Sequence, residues 1–88
     1  YFVRVSGESM LGAGIHPEDL LIVDRSIEAR DGKIIIAVVN GELLVKHLRL
    51  EGTQPYLVAE HPDYPDLKIT EAMEFQIWGV VTSVIHSL

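Results

Sequence analysis

The 88-residue chain contains no cysteine. Disulfides, thiolate nucleophiles and thiolate metal sites are therefore excluded, and a reducing compartment is compatible with the composition. No apolar run approaches the ~18 residues that span a bilayer, and no secretory signal pattern is present. A cytoplasmic protein without membrane association is expected. Basic residues are scarce, with 7 Lys and Arg against 13 Asp and Glu and a net charge of −6. Lys33, Lys46, Arg49 and Lys68 are scattered, so direct nucleic-acid binding by this domain is not expected. The four histidines, His16, His47, His61 and His86, are dispersed, and no metal site is expected from them. No glycine-rich phosphate loop leads into a helix, and no Ser-His-Asp triad is readable. Adjacent carboxylates such as Glu18 and Asp19 point apart in an extended chain, which argues against a paired acid–base role. Internal repeats, low-complexity tracts and long helical patterns are also missing.

What the chain has instead is β-forming, apolar sequence. Its hydrophobic content is 48% and its mean hydropathy +0.23. Eighty-eight residues supply one domain and one core, and so much apolar surface on a small chain predicts an oligomer interface. Tyr1 to Val5 alternates and reads as a strand. Gly7 to Gly14 is a loop with room for one helical turn after Ser9, and His16 to Asp19 is a turn around Pro17. Leu20 to Asp24 is a short strand. Lys33 to Val39 is apolar on both faces, as a central buried strand must be. Asn40-Gly41 predicts a type I′ hairpin that pairs this strand with Glu42 to Leu50. Glu51 to Pro55 reads as a turn and Tyr56 to Glu60 as a strand. A proline-rich loop, His61 to Asp66, comes next, then a short edge strand, Leu67 to Ile69. Phe75 to Ile85 is a long apolar strand with a bend or bulge at Gly79. Strict alternation would place Phe75, Ile77, Gly79, Val81 and Ile85 on one face of it, and Trp78, Val80 and Val84 on the other. The expected fold is all-β, built of several curved antiparallel sheets.

Two polar residues interrupt this apolar pattern in a chemically suggestive way. Ser9 lies in a turn of small residues straight after the first strand, where a hydroxyl is accessible and backbone N–H groups are free to bind an anion. Lys46 shares a strand face with Leu44 and Leu48. A lysine desolvated there has a lowered pKa, and a neutral lysine can act as general base for a serine. Spacing alone favours a plainer account, a surface serine and a lysine whose stem snorkels along its neighbours.

Longer motifs add to this reading. Val5-Ser6-Gly7-Glu8-Ser9-Met10, then Gly14-Ile15 leading into Asp19-Leu20-Leu21-Ile22-Val23-Asp24, then Asn40-Gly41-Glu42 leading into Val45-Lys46-His47-Leu48, resemble the self-cleaving domain of the LexA/UmuD family. The resemblance covers nearly the whole chain and leans toward the UmuD branch. It implies a LexA/signal-peptidase-like fold across residues 1–88 and a Ser9/Lys46 peptidase dyad without any cofactor. It also implies a homodimer and a role in the response to DNA damage. The partners implied are a recombinase filament that stimulates cleavage and an error-prone DNA polymerase subunit that joins the processed form. The alternatives are the cleavage and dimerisation domain of a LexA-like repressor, and a non-catalytic dimeric binding module. Two features depart from the family pattern. Ala13-Gly14 matches the type of bond the family cuts but lies inside the Ser9 loop, so the cleavage segment is expected on an arm upstream of Tyr1, outside this chain. Leu44 occupies the position two before the lysine, where relatives commonly carry a hydroxyl.

Overall fold

A computed structural model describes residues 1–86 and 88. It is an all-β domain of seven strands: β1 (Phe2–Arg4), β2 (Leu20–Asp24), β3 (Ile34–Val39), β4 (Glu42–Glu51), β5 (Gln54–Val58), β6 (Leu67–Lys68) and β7 (Phe75–Ile85). They form one continuous antiparallel sheet in the order β1-β2-β7-β3-β4-β5-β6, where several sheets were expected. β3 stands at the centre. Ile35 and Ile36, consecutive in sequence, belong to different core clusters and are both fully buried. The β4–β5–β6 half and Ile69 cover one face of β3. The other face is covered by β2 together with Val5, Met10 and Ile15.

Local signals explain the connections. Asn40 and Gly41 both have positive φ (49° and 81°), and Val39 pairs with Glu42, the geometry of the expected two-residue I′ turn. Asn40 fastens the hairpin to β7: its N–H donates to the Glu74 carbonyl and its Oδ1 accepts from Glu74 N, each at 2.9 Å. The next connection is tighter than the sequence suggested. Glu51 pairs with Gln54 around Gly52-Thr53, so Gln54 and Pro55 belong to β5 rather than to a turn. Gly52 has φ +63°, which suits the first position of such a turn.

β7 is paired along both edges, with β2 and with β3. Its register with β3 slips so that Ile36 faces Gly79 while Ala37 faces Ile77, making Trp78 the extra residue of a bulge. A second slip against β2 leaves Thr82 extra. These bulges overturn the strict alternation expected for the strand. Val80 joins Phe75 and Ile77 on one core, while Val81 and Val84 both pack on the other. The bulge brings Gly79 against β2, where a Cβ would meet Val23 Cγ1 at 2.6 Å and the Asp24 carbonyl oxygen at 3.1 Å.

Candidate active site

The Ser9 loop is an exposed excursion held at both ends by the core. Val5 and Met10 are buried in the β2-side cluster, whereas Ser6, Gly7 and Glu8 between them are exposed. Burying two such side chains is worth about 1.5–3 kcal/mol each, which holds the loop without a disulfide. Val5 N donates to the Asp19 carbonyl and Glu18 N to the Val5 carbonyl, both at 2.9 Å, tying the loop's start to the turn before β2. Gly7 (φ +82°) reverses the chain. The expected helical turn is a 3₁₀ turn, Leu11–Ala13, ending at Gly14 in the left-handed conformation. Ala13-Gly14 is thus built into that turn.

Glu60 braces the far side of the loop. Its N–H donates to the Ser9 carbonyl and its carbonyl accepts from Gly12 N, both at 2.8 Å. The approach is so close that a Cβ on Gly12 would lie 2.7 Å from that carbonyl oxygen, which requires glycine there. Glu60 Oε1 also lies 2.8 Å from His47 Nε2, at ion-pair distance but out of line for a hydrogen bond. His47 follows Lys46 on β4, so Glu60 couples the serine loop to the lysine strand. Nothing in the sequence pointed to Glu60, because its partners are distant along the chain.

Ser9 and Lys46 line the same cavity of about 330 Å³, with Arg4, Glu8, Glu42 and Tyr64 also on its walls. Its floor is the first half of β4. β5 pairs only with His47 to Glu51, so Glu42 to Lys46 pair with β3 on one side and have no partner strand on the other among the described residues. Both alternations of the strand, Leu43 and Val45 with Leu44 and Lys46, reach the cavity at this open edge. Lys46 lies opposite Ile35, whose side chain is in the β4–β5 core, and Leu44 and Leu48 belong to the same core. The lysine stem thus leaves from an apolar face, as alternation required. Desolvation holds the Lys46 amine below the ordinary lysine range, partly offset by the negative charge of Glu42.

Like Glu60, Tyr64 was not singled out by the sequence. Its ring centroid is 5.2 Å from Lys46 Nζ, a cation–π distance. The loop carrying it is tied to β4, with Arg49 donating from Nη1 to Asp66 Oδ2 at 2.7 Å, and His61 meets Tyr64 edge-on at 5.1 Å. Among the described residues no backbone carbonyl engages the N–H of Ser9 or Met10. Both residues line the cavity. The arrangement unites a half-buried serine, an amine with a lowered pKa, backbone N–H groups that no carbonyl engages and an unpaired strand edge.

Comparison with known proteins gives a consistent picture. The Peptidase S24-like family model matches residues 1–82. The chain is 45% identical to Protein MucA of Escherichia coli over 89 residues, covering 100% of this chain and 58% of MucA. It is 39% identical to the LexA repressor of Acidovorax sp. (strain JS42) over 87 residues, 99% of this chain and 39% of the repressor. With the LexA repressor of Dechloromonas aromatica (strain RCB) the identity is 40%, over 98% of this chain and 43% of the repressor. The chain therefore spans between 39% and 58% of the length of these curated relatives.

Proposed function

The chain belongs to the Peptidase S24-like family, and from that premise we propose that it is the Ser/Lys self-cleaving domain of a UmuD-like protein of the DNA-damage response. The observation that carries the reading is that Ser9 and Lys46 border one cavity along the open edge of β4. An extended segment of the intact protein adds to that edge as a further strand, its main chain pairing with β4. This presents a scissile carbonyl to Ser9.

The chemistry follows from the groups present. Neutral Lys46 accepts the Ser9 proton as Oγ attacks the carbonyl carbon. Backbone N–H groups at Ser9 and Met10 hold the oxyanion, each such donor being worth about 3 kcal/mol of barrier. Lys46 returns its proton to the leaving amine, the C–N bond breaks, and an ester remains on Ser9. Water, deprotonated by Lys46, attacks the ester and releases a new carboxylate and free Ser9. No metal or organic cofactor takes part. Leu44 supplies desolvation in place of a hydroxyl partner, so Tyr64 and Glu42 are left to orient the amine.

In this reading the intact protein is cytoplasmic and dimeric. Its cleavage is stimulated by a recombinase filament, and the processed form supports translesion synthesis with an error-prone polymerase subunit. Identity to LexA repressors across the whole chain supports a second reading, the cleavage domain of a repressor. The test is to incubate the full-length protein at neutral and alkaline pH and resolve the fragments. Self-cleavage should accelerate with pH, and Ser9→Ala and Lys46→Ala should each slow it by at least about a thousandfold with the fold retained. Cleavage by Ser9→Ala at the parent rate would leave only a binding role for the domain. Operator-type DNA binding by the full-length protein would select the repressor branch.

A further inference from the structure

On the far side of the Val5–Asp19 connection lies a second cleft, lined by His16, Pro17, Glu18, Asp19 and His86. Although these histidines are dispersed in sequence, two structural features gather them. The β2–β7 register pairs Leu20 with Ile85, and so sets Asp19 and His86 side by side where the two strands leave the sheet. The turn closed by Asp19 N donating to the His16 carbonyl at 3.1 Å brings His16 back onto the same spot. Pro17 and Glu18 occupy its centre, with Glu18 at φ +73°.

The result is a buried carboxylate capped by two accessible imidazoles. Asp19 is 4% exposed, whereas the side chains of His16 and His86 are 58% and 55% exposed. Asp19 Oδ2 is 2.8 Å from His86 Nδ1 and 3.7 Å from His16 Nδ1, and a ligand atom from each residue lies within 4.8 Å of the other two. Ligands about 2.0–2.2 Å from a tetrahedral ion stand roughly 3.3 Å apart, a spacing that lies between the two Asp19–imidazole separations. The His16 backbone N–H donates to Asp19 Oδ2 at 2.8 Å, which fixes the carboxylate as a supporting hydrogen bond does around a metal. Arg4 of β1 donates to the Glu18 carbonyl but lines the Ser9 cavity rather than this cleft.

We propose that His16, Asp19 and His86 form a binding site for a divalent transition-metal ion of the zinc class. Two imidazoles and one carboxylate are the donor set of zinc, cobalt or nickel rather than of magnesium or calcium. Three protein ligands leave the remaining positions to water or to a further group at the open mouth. The net charge of −6 favours the approach of a cation. The ion would pin the end of β7 to the turn that anchors the Ser9 loop through Val5, in a place where the chain has no covalent brace.

The experiment is a calorimetric titration of the protein with zinc chloride, with magnesium chloride as the hard-cation control and thermal unfolding as a second readout. One equivalent of zinc should bind and raise the melting temperature, whereas magnesium should do neither. His16→Ala and His86→Ala should each weaken zinc binding by about tenfold or more, with unchanged circular dichroism. His61→Ala, at a histidine outside the cluster, should leave it intact. Both imidazole variants are needed because Asp19 is buried and its replacement risks the fold. Zinc affinity that is absent in the parent, or undiminished in the His16→Ala/His86→Ala double variant, overturns the assignment.

Discussion

Lys46 Nζ stands 5.2 Å from the centre of the Tyr64 ring, so the same side chain both shields the amine from water and offers its charged form a π face. The two effects oppose each other. Cation–π attraction at a partly open site is worth about 0.5–1 kcal/mol, less than one pKa unit. Burial is the dominant influence on Lys46. Tyr64→Ala, which admits water, should therefore move the Lys46 pKa up toward the ordinary lysine value. Tyr64→Leu keeps the cover but removes the π face, and should move it slightly down. NMR titration of labelled lysine reads both, and shifts in the same direction for the two variants would disprove this division of roles.

A second prediction concerns stability. Because the folded pKa of Lys46 is lowered, the unfolded state binds more protons between the folded and unfolded pKa values. Stability then rises with pH across that window. Below the window the desolvation penalty is fully present, and above it the penalty vanishes. Lys46→Met keeps the stem but not the charge, so it should be more stable than the parent at neutral pH. Its advantage should shrink as pH climbs toward the ordinary lysine range. Urea unfolding at a series of pH values checks this, and a difference independent of pH would refute it.

The Gly79 bulge should tolerate no side chain. A Cβ there would lie 2.6 Å from Val23 Cγ1 and 3.1 Å from the Asp24 carbonyl oxygen, and the backbone oxygen cannot rotate away. Gly79→Ala should cost about 1–3 kcal/mol by overpacking. Chemical denaturation measures the loss, and an unchanged midpoint would mean that β2 and β7 separate easily.

Self-association should use the surface of β7 rather than its edges, since β2 and β3 already occupy both edges. Trp78, displaced outward by the bulge, remains 39% exposed and Ile85 47%, and partly exposed aromatics are favoured interface anchors. Sedimentation should show a dimer at tens of micromolar that Trp78→Ser weakens by about tenfold or more. A monomer at that concentration would count against the interface.

Much of this molecule was legible in its sequence because the deciding interactions are local. Period-2 alternation placed Leu44, Lys46 and Leu48 on one face. The need of Asn40-Gly41 for two positive φ angles set the central hairpin, and the run of Ile34 to Val39, apolar at every position, marked the strand buried on both sides. The Ser9 turn was visible for the same reason, since small residues and glycines punctuate it.

Tertiary structure decided what depends on register. Two bulges in β7 reversed which of its residues share a face, and alternation cannot count an extra residue that only a partner strand reveals. Tyr64 reached the cavity lined by Ser9 and Lys46, and Glu60 the back of the Ser9 loop, because β5 stops opposite His47, leaving the next stretch of β4 open for loops to close. His16 and His86 met over Asp19 because Leu20 pairs with Ile85. Residues far apart in the chain become neighbours only when strand pairing overcomes the entropy of closing the loop between them, and no short-range pattern in the sequence records that pairing.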